Sequence, residues 1–256
     1  MNSFVWGMKD SWTMLRRNVK LMIRDPDSLI ISAALPVILM LMFVYVFGGA
    51  IETGTAYINY VVPGIIITCV GYSSSLVASS INVDVGKGLY DRLRTMPVRP
   101  ISLLFSHVAA SIVRNTVSAT LVIAVALAIG FRPAAGFAEW LAAIGLLLLF
   151  LIAFSWLGLL FGLLAKTPEM AGAFAMVIMF IPYLSSAFVP TDTMPRWLAA
   201  FSEHQPLTPM IESLRALLIG APDGAVNHAI PVLWLGGLLI LACWGAVAAY
   251  RRRSFQ

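Results

Sequence analysis

Apolar residues in this chain come in long runs without a single Asp, Glu, Lys or Arg, separated by short charged clusters. Six runs are at least 17 residues long: 28–51, 53–83, 115–131, 140–165, 170–191 and 224–250. A membrane span needs about 20 apolar residues, with a range of roughly 17–25. Backbone in lipid must satisfy its own hydrogen bonds, so such runs are read as helices. The alternation of apolar and polar positions that marks a membrane barrel is missing. The pattern predicts spans at about 28–51, 60–82, 101–131, 140–165, 168–189 and 228–250. Pro36 and Pro182 are expected to bend or break the first and fifth. The third, at 1.5 Å per residue, is roughly 46 Å long against a core of about 30 Å. Its first part, with Ser102, Ser106 and His107, is therefore expected to project into the cytoplasm. Arg114 then falls near the inner boundary, as an interface anchor or a substrate contact.

The segments between the runs have their own periodicities. In 1–27, Met1, Val5, Met8, Trp12, Leu15, Val19 and Met22 form a narrow apolar stripe at helical spacing, with Lys9, Arg16, Arg17, Lys20 and Arg24 to one side. That fits a helix lying in the membrane interface, or one packed on the protein's own loops. No apolar core precedes Ser28, so this is not a signal peptide. The loop 83–100, VDVGKGLYDRLRTMPVRP, is dense in charge, with room for a short helix over 89–96. It is either a docking surface or only a positive anchor. The second span is rich in Thr and Ser, which reads as close helix packing or as a polar cavity wall or subunit seam. The stretch 190–220 predicts two short helices. The first starts at Asp192 or Thr193 with Pro195 near its first turn. The second has Thr208 as N-cap, Pro209 at the first position and Gly220 as stop. Met210, Leu214, Leu217 and Leu218 share one face. Neither helix is long enough to span, so the pair reads as half-helices dipping into the outer leaflet.

Composition sharpens this. Only 11% of the 256 residues are charged and 60% are apolar, against roughly 25% charged in a soluble domain. This excludes a soluble enzyme, a disordered tail and a nucleic-acid module. With six spans both termini share one side. That side carries fourteen of the Lys and Arg residues and six acids; the other carries three and six. Positive charge marks the cytoplasmic side, so both termini are expected inside. The net charge of +5 is thereby absorbed into topology, and no nucleic-acid partner is needed.

Chemistry of the enzymatic kind is not encoded. Gly86-Lys87-Gly88 lacks the glycine spacing of a phosphate-binding P-loop. His107, His204 and His228 are far apart in sequence, and two cysteines, Cys69 and Cys243, make no metal or disulfide pattern. Ion-coupled transporters usually keep ionisable residues at mid-membrane; the six runs have none, which disfavours an ion-coupled secondary transporter. The remaining option is energy delivered by a partner from outside the membrane.

This arrangement resembles the permease subunit of ABC-2 type exporters: an interfacial N-terminal helix, six spans, a charged inner loop after the second and a re-entrant pair before the sixth. The resemblance covers the whole chain. Its most specific segments are VGKGLYDRLRTMPVRP at 85–100 and FVPTDTMPRWLAAFSEHQPLTPMIESLRALLIG at 188–220. The second is similar to the daunorubicin/doxorubicin-resistance permeases, notably at Asp192-Thr193-Met194-Pro195, Trp197-Leu198 and Glu203-His204-Gln205-Pro206. The resemblance implies an all-α membrane protein in three parts: a cytoplasmic interfacial helix 1–27, a six-span domain 28–250 and a basic tail 251–256. It implies no ATPase site and no bound cofactor in this chain, with ATP and magnesium held by two copies of a cytosolic ABC ATPase. A second permease, as a homodimer, completes the assembly in the bacterial inner membrane. The coupling loop would use Asp84, Gly86, Lys87, Leu89, Tyr90, Asp91, Arg92 and Arg94; the family often has Glu near its start, where this chain has Asp84. Arg16, Arg17, Lys20 and Arg24 would clamp the ATPase. Pro190, Asp192, Pro195, Trp197, Glu203, His204, Pro206 and Pro209 would form the outer gate, and Phe43, Tyr72 and Trp156 are candidate cavity aromatics. The cargo implied is a lipophilic drug or lipid-like molecule, with a polysaccharide or glycolipid as the alternative.

Overall fold

In the computed structural model, the described residues are 16–18, 20, 26–51, 56–87, 101–220 and 226–253. They are mostly helical, with no strand among them. Besides the helical residues 16–18 and 20, the described residues form nine α-helices in order: α1 Pro26–Met42, α2 Tyr57–Ser75, α3 Val77–Gly86, α4 Ile101–Ala128, α5 Phe137–Leu164, α6 Pro168–Phe180, α7 Arg196–His204, α8 Leu207–Ile219 and α9 Ala229–Arg253. Among the described residues, four helical stretches are long and apolar enough to cross a membrane: Tyr57–Gly86, Ser102–Ala128, Phe137–Leu164 and Ala229–Tyr250. Two shorter apolar stretches, Ala34–Phe47 and Pro168–Leu184, complete the apolar runs of the sequence.

The helix boundaries follow local chemistry. α1 continues through Pro36 and widens into a π-helix at Phe43–Phe47 before the turn at Gly48-Gly49. α2 begins at Tyr57, earlier than the second span's expected start near 60, and takes Pro63 in its second turn. At Leu76 the helix is interrupted. Just before it, the Ser75 hydroxyl donates to the Tyr72 carbonyl at 2.6 Å, drawing that carbonyl away from the helical ladder. α6 starts on a Thr167 cap, whose hydroxyl accepts from the Met170 amide, with Pro168 at the first position. It ends where the sequence expects a break: Pro182 sits in a single 3-10 turn, Ile181–Leu184, and the chain then runs irregularly to Pro190. α8 differs from expectation. Its N-cap is Pro206, not Thr208, which lies inside the helix. Gly220 does end it, in a left-handed conformation at φ 96° that a side chain would strain.

α5 is the hub and packs on α2, α3, α4, α8 and α9. The most apolar window of the α2–α3 stretch is 89% buried, against 22% for α9, so α2–α3 runs through the middle and α9 lies on the outside. α9 turns Leu235, Ala242 and Ala246 inward and leaves Leu233, Trp234, Ile240, Leu241 and Trp244 exposed. α3 and α5 touch backbone to backbone: a Cβ on Gly162 would overlap the Ala78 carbonyl oxygen. There Asn82 Nδ2 donates to the Gly162 and Ala165 carbonyls at 3.0 and 2.9 Å, which closes the C-terminal end of α5. The small polar residues of α2 face inward. Asn115 Nδ2 reaches Ser74 Oγ at 3.3 Å and the Ser111 carbonyl at 3.0 Å, and Ser155 Oγ donates to Ser111 Oγ at 2.9 Å. These contacts tie α2, α4 and α5 through a buried polar layer, the close-packing use of small polar residues.

Candidate functional site

Two joints stand at opposite ends of the α2–α3 stretch. At 1.5 Å per residue its ends lie roughly 40 Å apart. The base joint is at the Gly86 end and the crown joint at the Tyr57 end.

The base joint centres on Asp84, in the last turn of α3. Its carboxylate takes a two-pronged contact from the Arg17 guanidinium, Nη1 to Oδ2 at 3.2 Å and Nη2 to Oδ1 at 3.3 Å. His107 Nε2 stands 3.3 Å from Oδ2. Beside it, Asn18 Nδ2 donates to Ser106 Oγ at 3.3 Å. Three segments distant in sequence thus meet on one carboxylate: the N-terminal helical residues, the end of α3 and the start of α4. At the start of α4, Ser102, Ser106 and His107 are buried within the protein. The Asp84 carboxylate lies beside His107 and the Asn18 amide meets Ser106, so both are faced by polar groups inside the protein. Of the other basic and loop residues singled out in the sequence, Arg16, Lys20, Gly86 and Lys87 are exposed beside this joint. Arg24, Leu89, Tyr90, Asp91, Arg92, Arg94 and the helix expected at 89–96 lie outside the described residues.

The crown joint is built on the broken end of α6. Irregular backbone inside an apolar bundle leaves carbonyls without ladder partners, and each must be met by another donor. Here alternate carbonyls are each met by a side chain. Gln205 Nε2 donates to the Leu184 carbonyl at 2.6 Å. Tyr60 Oη and Arg215 Nη2 both donate to the Ser186 carbonyl, at 3.0 and 2.8 Å. Tyr57 Oη donates to the Phe188 carbonyl at 3.0 Å. Arg215 also donates from Nε to the Tyr60 carbonyl at 3.2 Å, and its guanidinium carbon lies 3.7 Å from the centre of the Tyr60 ring, a cation–π stack. Thr208, the expected helix cap, instead turns its hydroxyl toward Ser202 Oγ at 3.3 Å and accepts from the Ser186 amide at 3.4 Å. The segment can lie this close because Gly64 has no side chain: a Cβ there would sit 2.6 Å from the Ala187 carbonyl oxygen. Burial pushes the Glu212 carboxyl above its ordinary range, with the nearby Arg215 pulling the other way. Burial also draws Arg215 below its usual value.

The gate candidates read from the sequence surround this joint without forming it. Asp192, Pro195, Trp197, Glu203 and His204 are exposed, and Pro190, Pro206 and Pro209 are partly buried. His204 Nδ1 lies 2.7 Å from the Ala200 carbonyl of its own helix. The three cavity aromatics do not converge. Phe43 stacks on Phe188 at 4.3 Å near Tyr183, Trp156 meets Phe105 edge-on at 5.5 Å in the core of the base end, and Tyr72 is partly buried in α2. Two residues that carry the joints were missed in the sequence. The sequence pattern singles out neither Arg215 nor a pairing of His107 with Asp84. A break in a span demands donors for its free carbonyls, and that demand was the available signal for Arg215.

With the geometry in view, the class is an all-helical, multi-pass membrane protein with an ion-paired base and a hydrogen-bonded crown. Residues 10–219 match the ABC-2 type transporter family, and the chain belongs to that family. It is similar to the daunorubicin resistance ABC transporter permease protein DrrB1 of Streptomyces coeruleorubidus, 29% identical over 88% of this chain and 77% of that protein. It is also similar to the probable doxorubicin resistance ABC transporter permease protein DrrC of Mycobacterium tuberculosis, 25% identical over 90% of this chain and 84% of that one. The inner membrane transport permease YadH of Escherichia coli K12 is 26% identical over 83% of this chain and 85% of that one. As an ABC-2 permease, the protein is a transport subunit of the inner membrane.

Proposed function

We propose that this chain is the membrane subunit of an ATP-driven exporter, which moves a lipophilic drug or lipid-like molecule outward with energy from a separate cytosolic ABC ATPase. The base joint is the observation that carries the mechanical part. Helix α3 ends at Gly86, two residues after Asp84, at a base in which Arg17 and Asn18, α3 and α4 are tied together. A push on the loop is then shared by all three segments. In this reading the shorter apolar helices at 34–47 and 168–184 complete six spans, both termini face the cytoplasm, and the α7–α8 pair dips into the outer leaflet as the exit gate. Two permeases and two ATPase subunits form the working complex, with ATP and magnesium on the ATPase. The names of the drug-resistance relatives favour a lipophilic cargo.

The test is coexpression with candidate ABC ATPases from the same organism, copurification, and ATP hydrolysis with and without daunorubicin in proteoliposomes. The expected result is a stable complex whose hydrolysis daunorubicin stimulates and which moves the drug. Replacing Asp91 and Arg92 together with Ala is expected to abolish export while the complex still hydrolyses ATP. Unchanged export in that variant would remove the coupling assignment. Stimulation by a lipid-linked glycan and not by the drug would move the cargo to the glycolipid class.

A further inference from the structure

We infer that Arg215 is the positioning residue that holds the exit closed, by clamping the broken end of α6 onto α2. The inference rests on the export reading for its direction but on its own geometry for the clamp. The segment 185–190 has no helical or strand ladder of its own. Its place is set by the packing of Ala187 and Phe188 in the core and by donors reaching in from other elements, and one of those donors joins three bodies at once. Arg215 on α8 donates to the Ser186 carbonyl and to the Tyr60 carbonyl, and stacks on the Tyr60 ring. Tyr60 in turn donates to that same Ser186 carbonyl. Removing the guanidinium therefore loosens α8 from α2 and both from the segment in a single step.

The planar fork matters here. A lysine carries the charge but not the two directed donors with a flat face, so it makes the stack or one carbonyl contact, not the whole set. The remaining donors, from Tyr57, Tyr60 and Gln205, are neutral. Neutral hydrogen bonds between protein groups exchange with water at small net cost, about 0.5–1.5 kcal/mol each. A segment held this way has a second state within reach, in which water takes the same carbonyls. That is the property a gate requires and a packed helix lacks.

The experiment places a cysteine at Ser186, which is buried, and measures its modification by a membrane-impermeant maleimide added from outside. Cys69 and Cys243 are replaced by Ser and Ala first. In the otherwise unchanged complex with its ATPase, labelling is expected to be slow and to rise when ATP is added. In Arg215→Gln, labelling without ATP is expected to rise about tenfold, the change that 1.4 kcal/mol gives, and to lose its response to ATP while hydrolysis continues. Arg215→Lys is expected to fall between the two, and it reads the clamp if Arg215→Gln does not reach the membrane. Parent-like labelling in both variants overturns the clamp. Fast labelling in Arg215→Gln with no ATP response in the parent keeps the clamp and removes the export reading instead.

Discussion

The base joint and the crown joint solve one problem with different chemistry. At the base, a carboxylate faces a guanidinium and an imidazole, and Arg17 is 39% exposed. At the crown, backbone carbonyls face tyrosines, a glutamine and a half-buried arginine. Charges at a wet edge attract over distance but are screened by salt, whose Debye length falls from about 10 Å at 0.1 M to about 3 Å at 1 M. Neutral donors on carbonyls act only in contact and are nearly blind to salt. The base thus behaves as a joint that finds its partner and can be tuned from solution. The crown behaves as one that depends on close fit.

This difference can be broken by substitution. The largest expected effect is at the crown, where Gly64→Val forces a Cβ and its two methyl groups against the Ala187 backbone. Overpacking of this kind costs about 1–3 kcal/mol, and the detergent-solubilised protein is expected to melt at a clearly lower temperature. Equal melting would mean that the segment does not lie on α2. Next is Asp84→Asn at the base, which leaves Arg17 and His107 facing a neutral amide. A partly exposed pair is worth about 1 kcal/mol or less, and the difference from the parent is expected to shrink between 0.1 M and 1 M salt. Tyr60→Phe comes next: it removes one neutral hydroxyl donor at about 1 kcal/mol while keeping the ring under Arg215, and its effect is expected to stay the same across that salt range. A Tyr60→Phe effect that fades with salt, or an Asp84→Asn effect that does not, would collapse the distinction. Glu212→Gln is the smallest. A carboxyl raised by burial contributes stability below its unfolded value of about 4.3 and loses it as pH rises through the folded value. The amide is therefore expected to stabilise slightly at pH 7 to 8 and to flatten the fall in melting temperature over that rise.

How far the sequence could be read follows the same division. The apolar runs were legible because lipid tolerates few alternatives: a charge in a span is costly wherever it falls. The break at Pro182 and the stop at Gly220 were legible because each is a property of one residue. Thr208 was misread because capping preference is local, while its hydroxyl is drawn to Ser202 and to the Ser186 amide across the crown. The base was illegible for a different reason. Arg17, Asp84 and His107 lie on separate segments, and each alone looks like a surface charge at the end of a helix. Only the fold brings them to one carboxylate.

The contact between Gly162 and Ala78 limits how the bundle can widen. Two backbones in touch, with Asn82 bonded across the seam, have no side chains between them to serve as bearings. The two helices therefore cannot slide past each other by a turn; they must part, or stay together. They stay together unless both Asn82 bonds are given up, so α3 and α5 form one wall. Two bonds and a bare backbone contact have to be lost together for this seam to open, so a looser seam between other helices is expected to part first.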